Sequence, residues 1–127
     1  MIKKKKQPLS AHYQLGLNGE QLALDFLVAN GYKIVAQNWR FEKCEVDLIA
    51  ENSEWIIFVE VKTRKSAYFG GPEASVNERK QRQLLMAAEA YIEINDCSKP
   101  LRFDIISIVI GSDVKTDIKH LMDAFIP

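Results

Sequence analysis

Residues 45–63 read EVDLIAENSEWIIFVEVKT, and this stretch decides the fold. Trp55-Ile56-Ile57-Phe58-Val59 is apolar at every position, so a strand built from it needs cover on both faces. Such a strand belongs at the centre of a sheet flanked by helices. Glu45 to Glu51 supplies a second extended segment, and Asn52 and Ser53 stand where a tight turn would join it to a strand from Trp55 to Thr63. Charge then intrudes where it is costly. Glu60 and Lys62 point to one face because side chains alternate along a strand. Ionised groups flanking a buried strand cost several kcal/mol unless paired or bound to a metal. A two-residue turn would put Asp47 opposite Phe58 and diagonal to Glu60, and a four-residue turn would put it directly opposite Glu60. In either register Glu45, Asp47, Glu60 and Lys62 share a face, with Asp47 and Glu60 roughly 5 to 8 Å apart at Cβ. A three-residue loop would separate them.

Two carboxylates at that separation can both reach a Mg²⁺ ion, which takes oxygen ligands at about 2.0 to 2.1 Å and keeps positions open for water and phosphate. Asp47 and Glu60 are therefore the expected metal ligands, with Mg²⁺ or Mn²⁺ as the cofactor. An adjacent lysine, Lys62, would hold the attacking water or steady charge on a phosphate.

The pattern continues outward. Lys33 to Trp39 is a further strand. Between Leu17 and Asn30 the apolar positions Leu17, Ala23, Leu24 and Leu27, with Leu22 and Phe26, recur at helical steps, and Asn30-Gly31 supplies the stop. Gly70-Gly71-Pro72 marks a loop. Ser75 with Glu78 matches a capping box, and Leu84, Leu85, Ala88, Tyr91 and Ile92 form the inward stripe of the helix it would start. Arg102 to Ile110 is a fourth strand. Ile118, Leu121, Met122 and Phe125 suggest a short closing helix. This order predicts an α/β fold, a mixed sheet covered by helices, in one domain over residues 15–127 behind a basic tail at 1–14.

At 127 residues and 47% apolar composition the chain can bury one real core. Seventeen basic residues balance seventeen acidic ones, but from Lys62 to Arg82 six basic residues face two acidic, a local excess of 6 − 2 = +4. Arg64 and Lys65 beside the glycine loop, and Lys80, are the expected contacts to a nucleic-acid backbone. Tyr68 and Phe69 offer either rings for unpaired bases or plugs for the loop. Cys44 and Cys97 lack zinc-knuckle spacing and make no disulfide framework, which fits a reducing compartment, the cytoplasm. Polar residues interrupt any apolar stretch after Lys3 to Lys6, and no run approaches the ~20 apolar residues a membrane helix needs. His12 and His120 read as structural, as does an ion pair of Arg102 with Asp104.

Gly19-Glu20, Glu45-Val46-Asp47-Leu48-Ile49-Ala50, Phe58-Val59-Glu60-Val61-Lys62-Thr63-Arg64, Phe69-Gly70, Lys80 and Arg102-Phe103-Asp104 together resemble the YraN family of predicted endonucleases, from Gly16 to Phe125. That family is similar to the PD-(D/E)XK nuclease superfamily and, distantly, to archaeal Holliday junction resolvases. The resemblance implies a restriction-endonuclease-like three-layer core. It makes Asp47 the motif aspartate, Glu60 and Lys62 the E-x-K pair, and Glu20 the acidic catalytic residue of the first helix. It further implies hydrolysis of phosphodiesters in DNA, branched or single-stranded, and, by likeness to the resolvases, a homodimer. Cys44 stands where the family usually has glycine. Two other functions fit the same residues: a nucleic-acid-binding module without turnover, and a protein-interaction or assembly factor on the same scaffold.

Overall fold

The computed structural model describes residues 11–65, 76–110 and 116–126, with backbone alone for 11–17. The elements follow one another as α1 (Ala11–Ala29), β1 (Lys33–Phe41), β2 (Cys44–Glu51), β3 (Ile56–Arg64), α2 (Glu78–Ile94), β4 (Leu101–Val109) and β5 (Asp117–Leu121). The strands form a mixed sheet in the order β1-β2-β3-β4-β5. Among the described residues only β3 and β4 pair in parallel, and α2 lies in the crossover that a parallel connection requires. The doubly apolar β3 is central, as its composition demands.

Each sheet face has its own core. Leu84, Ala87, Ala88 and Tyr91 of α2 pack with Ile49, Phe58, Phe103 and Ile105. On the other face Ala23 and Leu27 of α1 pack with Leu48, Ala50, Ile57, Val59, Ile106 and Ile108. The result is three layers, α1, sheet and α2, as in a restriction-endonuclease-like core. Among the described residues no helix is long and apolar enough to cross a membrane.

The connection between β2 and β3 settles the register. Asn52 Oδ1 accepts from the backbone N–H of Glu54 (2.9 Å) and of Trp55 (2.8 Å). This Asx turn draws Trp55 out of the strand and makes a four-residue connection, with Glu51 opposite Ile56 and Leu48 opposite Val59. That four-residue connection is the second of the two expected, and its ladder ends at Leu48 and Val59, one residue short of Asp47 and Glu60.

Three differences from the sequence reading have physical causes. Residues 117–121 form an edge strand rather than a helix: Ile118 and Leu121 sit in a ladder with β4, and a turn at Met122 and Asp123 ends it. The apolar spacing there suits a helix, but the open edge of β4 offers hydrogen bonds that a helix would leave unmade. α1 starts at Ala11, ahead of Leu17. α2 is capped by Asn77, whose side chain accepts from the N–H of Lys80 (2.9 Å). Ser75, Tyr68, Phe69, Gly70-Gly71-Pro72 and most of the tail expected at 1–14 lie outside the described residues.

Gly19 lets α1 close onto β3. A Cβ there would overlap Thr63 Oγ1 and approach Thr63 Cβ to 2.9 Å. Gly19→Ala should therefore push the helix outward and cost about 1 to 3 kcal/mol, as overpacking does, read as a lower urea midpoint with an unchanged slope. A variant as stable as the parent would show that α1 tolerates a wider seat.

Candidate functional site

The β2–β3 ladder ends at Leu48 and Val59, and Asp47 is the next residue. Asp47 Oδ2 accepts from the N–H of Val61 (2.8 Å), so a side chain occupies the place of a ladder carbonyl. Cys44, Val46 and Ile49 belong to the core beneath α2, whereas Leu48 and Ala50 belong to the core beneath α1. Strict alternation would group Val46 with Leu48. It is broken at Asp47. Across on β1, Asn38 lies between the pairs Gln37–Leu48 and Trp39–Val46, with φ 49° in the left-handed region. Asparagine visits that region more readily than most residues, so the local distortion is cheap. The sheet is thus irregular on both strands at the point where the carboxylates meet.

Acidic groups converge there. Burial, then the charge of Glu60, pushes the Asp47 carboxyl up to about 7, with Glu20 adding and the Val61 N–H and Lys80 opposing. Burial also raises the Glu60 carboxyl, against Lys80 and Lys62 and with Glu20 and Glu45 adding. Glu20 is raised by burial in turn, although a hydrogen bond from Asn38 counters it. In the orientation that its two acceptors require, the Asn38 amide donates to Glu45 Oε1 (2.9 Å) and Glu20 Oε2 (3.3 Å). Arg40 pairs with the other oxygen of Glu45 at 3.2 Å. Asn38 thereby ties the helix carboxylate to the sheet.

The cation nearest Glu60 comes from α2. Lys80 Nζ lies 3.8 Å from Glu60 Oε1, with the Glu60 side chain 19% exposed. Glu60 Oε2 is buried and has no hydrogen-bond partner. A bare carboxylate oxygen of this kind is costly unless something arrives to bind it. Among the described residues no set of three His, Cys, Asp or Glu groups forms a metal cage. Two carboxylates with waters and a substrate phosphate are a usual donor set for Mg²⁺, so the residues present fit that ion.

Of the residues singled out in the sequence, Asp47, Glu60, Glu20 and Lys80 come together. Lys62 is exposed, one alternation beyond Glu60; Arg64 is half-buried on β3, and Lys65 is exposed just past its end. Asn38 escaped the sequence reading, since a polar residue on an edge strand carries no signal until its partners are known. His120, read from the sequence as structural, is so, though its partner was not foreseen. The expected pair of Arg102 with Asp104 is present, both contacts at 2.8 Å. His120 Nε2 (2.7 Å) and the N–H of Asp123 (2.9 Å) complete the shell of Asp104, which is fully buried. A helix at 117–121 would not have delivered that histidine to β4.

A protein-family model described as "Uncharacterised protein family UPF0102" matches residues 19–108. The UPF0102 protein of Phocaeicola vulgatus is 38% identical over 119 residues, 94% of this chain and 98% of that protein. Those of Thermodesulfovibrio yellowstonii and Caldicellulosiruptor bescii are each 44% identical over 115 residues, covering 91% and 88% of this chain and 98% and 97% of the relative. The matched region contains Glu20, Asp47, Glu60, Lys62 and Lys80.

Proposed function

The chain belongs to the UPF0102 family, and from that premise we propose that it is a metal-dependent nuclease hydrolysing phosphodiesters in DNA. One observation carries the reading: the half-buried Asp47 and Glu60 sit in each other's electrostatic field at the end of the β2–β3 ladder, and a buried oxygen of Glu60 has no hydrogen-bond partner. A structural acidic pair would be expected to have its lone pairs filled. The resemblance to PD-(D/E)XK nucleases supports the same roles.

Asp47 and Glu60 would hold Mg²⁺ or Mn²⁺, and the ion would supply Lewis acidity toward a phosphate oxygen and acidify a bound water. The protein's own groups do the rest. Val61 N–H fixes one oxygen of Asp47, which leaves the other to face the site. Lys80, beside Glu60, is placed to grip a phosphate oxygen and to offset its charge. Glu20, held by Asn38, is positioned to orient water from the α1 side. Lys62, Arg64 and Lys65 continue along and beyond β3 as contacts to the nucleic-acid backbone.

The test is cleavage of labelled single-stranded, duplex and four-way-junction DNA in Mg²⁺, Mn²⁺ or EDTA. Cutting should need the ion. Both carboxylates must be ionised to take it, and their values are raised, so activity should climb as pH passes upward through about 7. Lys80→Met should lower the rate about 10²-fold or more, and Lys62→Met less, because Lys80 is the nearer cation. Cleavage that survives EDTA would end the proposal, and salt-sensitive binding without cutting in any metal would leave a binding module.

A further inference from the structure

A cleft of about 500 Å³ is lined by Phe41, Glu42, Lys43, Cys44, Gln83 and Met86. It lies between the tip of the β1–β2 hairpin and the outer side of α2. Two observations join it to the site. Cys44, which lines the cleft, sits in the field of Lys80, Glu60, Asp47 and Glu45. Gln83, which lines the cleft, stands three residues after Lys80 on α2, as Cys44 stands three residues before Asp47 on β2.

The walls have a particular chemistry. Phe41 is backed by Trp39, the two rings 6.4 Å apart and within 7° of parallel. Met86 is 51% exposed, a polarizable thioether facing outward on a helix whose other large apolar side chains mostly turn inward. Gln83 contributes an amide that both donates and accepts, and Lys43 a cation at the rim. An apolar slot with an aromatic wall, a thioether and one amide suits a flat heteroaromatic ring, which stacks by its face and hydrogen-bonds by its edge. A paired base inside a duplex cannot enter such a slot without leaving its stack.

We infer that this cleft takes one unpaired nucleobase of the strand whose phosphate lies at Asp47 and Glu60, so that the protein selects single-stranded or branched nucleic acid over continuous duplex. The inference rests on the nuclease reading for what occupies the neighbouring site. It goes beyond that reading in naming a base subsite, which would account physically for a preference for single-stranded or branched DNA. Phe41 is then the stacking wall, Met86 the opposing contact and Gln83 the edge partner.

The experiment uses the full chain in EDTA, so that binding is measured without cleavage, by fluorescence anisotropy with a labelled 12-nucleotide oligothymidylate and a labelled duplex of the same length at equal salt. The parent should bind the single strand at least tenfold tighter. Phe41→Leu keeps apolar bulk and removes the ring face, and Met86→Ser alters an exposed position; each should weaken single-strand binding about 5- to 100-fold, the range for a lost base stack, and leave duplex binding within twofold. Thermal melts of both variants check that they fold. Equal affinity for the two ligands, or variants that bind the single strand as the parent does, would overturn the base site while leaving the nuclease reading standing. No binding to either ligand by the parent would likewise overturn the base site, and the nuclease reading stands or falls separately on the cleavage assay in Mg²⁺ or Mn²⁺.

Discussion

Asp47→Asn is expected to abolish metal-dependent cleavage and, in the same variant, to raise the melting temperature at pH 8. The loss follows from the proposed ligand role: a neutral amide is a poor partner for a hard divalent cation, and the rate should fall by at least about 10³-fold. The gain follows from linkage. The Asp47 carboxyl sits at about 7 in the folded chain, above its ordinary value of 3.8, because burial and the charge of Glu60 disfavour its ionised form. Between those values the folded state holds more protons than the unfolded one, so stability declines as pH rises and the full penalty is present above about 7. Asparagine keeps an oxygen for the Val61 N–H and carries no charge. Since part of the penalty stays with Glu60, the relief should be on the order of 2 kcal/mol. Calorimetry at pH 5 and pH 8 would show a difference between variant and parent that widens at the higher pH. Added Mg²⁺ should raise the melting temperature of the parent alone. A variant that melts below the parent at pH 8 would mean that the carboxylate is compensated in the free protein.

The opposite result is expected on the other face of the sheet, where Asp104 pairs along β4 with Val59. Asp104→Ala should cost about 3 to 5 kcal/mol, because it strands a nearly buried cation. The Arg102 side chain is 10% exposed and pairs with Asp104 at 2.8 Å, and that of His120 is 6% exposed at 2.7 Å. Arg102 also reaches the Tyr32 hydroxyl at 3.1 Å and lies 5.9 Å from the centre of the Trp55 ring. Burial pushes the Asp104 carboxyl upward, but hydrogen bonds from His120, Arg102 and the Asp123 N–H together hold it below its ordinary value. The stability it confers is therefore present above that ordinary value and is lost as pH falls through the lowered one. Urea denaturation at pH 7 should show a large drop in midpoint for Asp104→Ala, narrowing toward acid. A midpoint close to that of the parent would mean that Arg102 finds other partners.

Much of the architecture could be read from local pattern. The doubly apolar run at 55–59 set the central strand and the need for two helical layers, and the stripe from Leu84 to Ile92 set the second helix. The acidic pair was legible because charge at the end of a buried strand demands a reason. Its register was not, since Asn52 and Ser53 suit both a two-residue and a four-residue connection, and only the Asx turn decides between them. Lys80 could be placed on an inward helix face but not paired, because its contact with Glu60 depends on where α2 docks. Ile118 and Leu121 misled for a related reason. Three-residue spacing records a period, but the vacant edge of β4 belongs to the tertiary structure.

The order of strands in the sheet is also their order along the chain, with a single long crossover between β3 and β4. The consequence is kinetic. β1, β2 and β3 close through short loops at small entropic expense, while zipping β4 onto β3 must wait for the α2 segment to be gathered in. Both carboxylates, Asp47 and Glu60, lie in the early meander, and their electrostatic repulsion is therefore borne from the first stage of assembly. Neutralising Asp47 should accelerate refolding and leave unfolding little changed, and stopped-flow chevrons that move only on the unfolding limb would place the meander after the rate-limiting step.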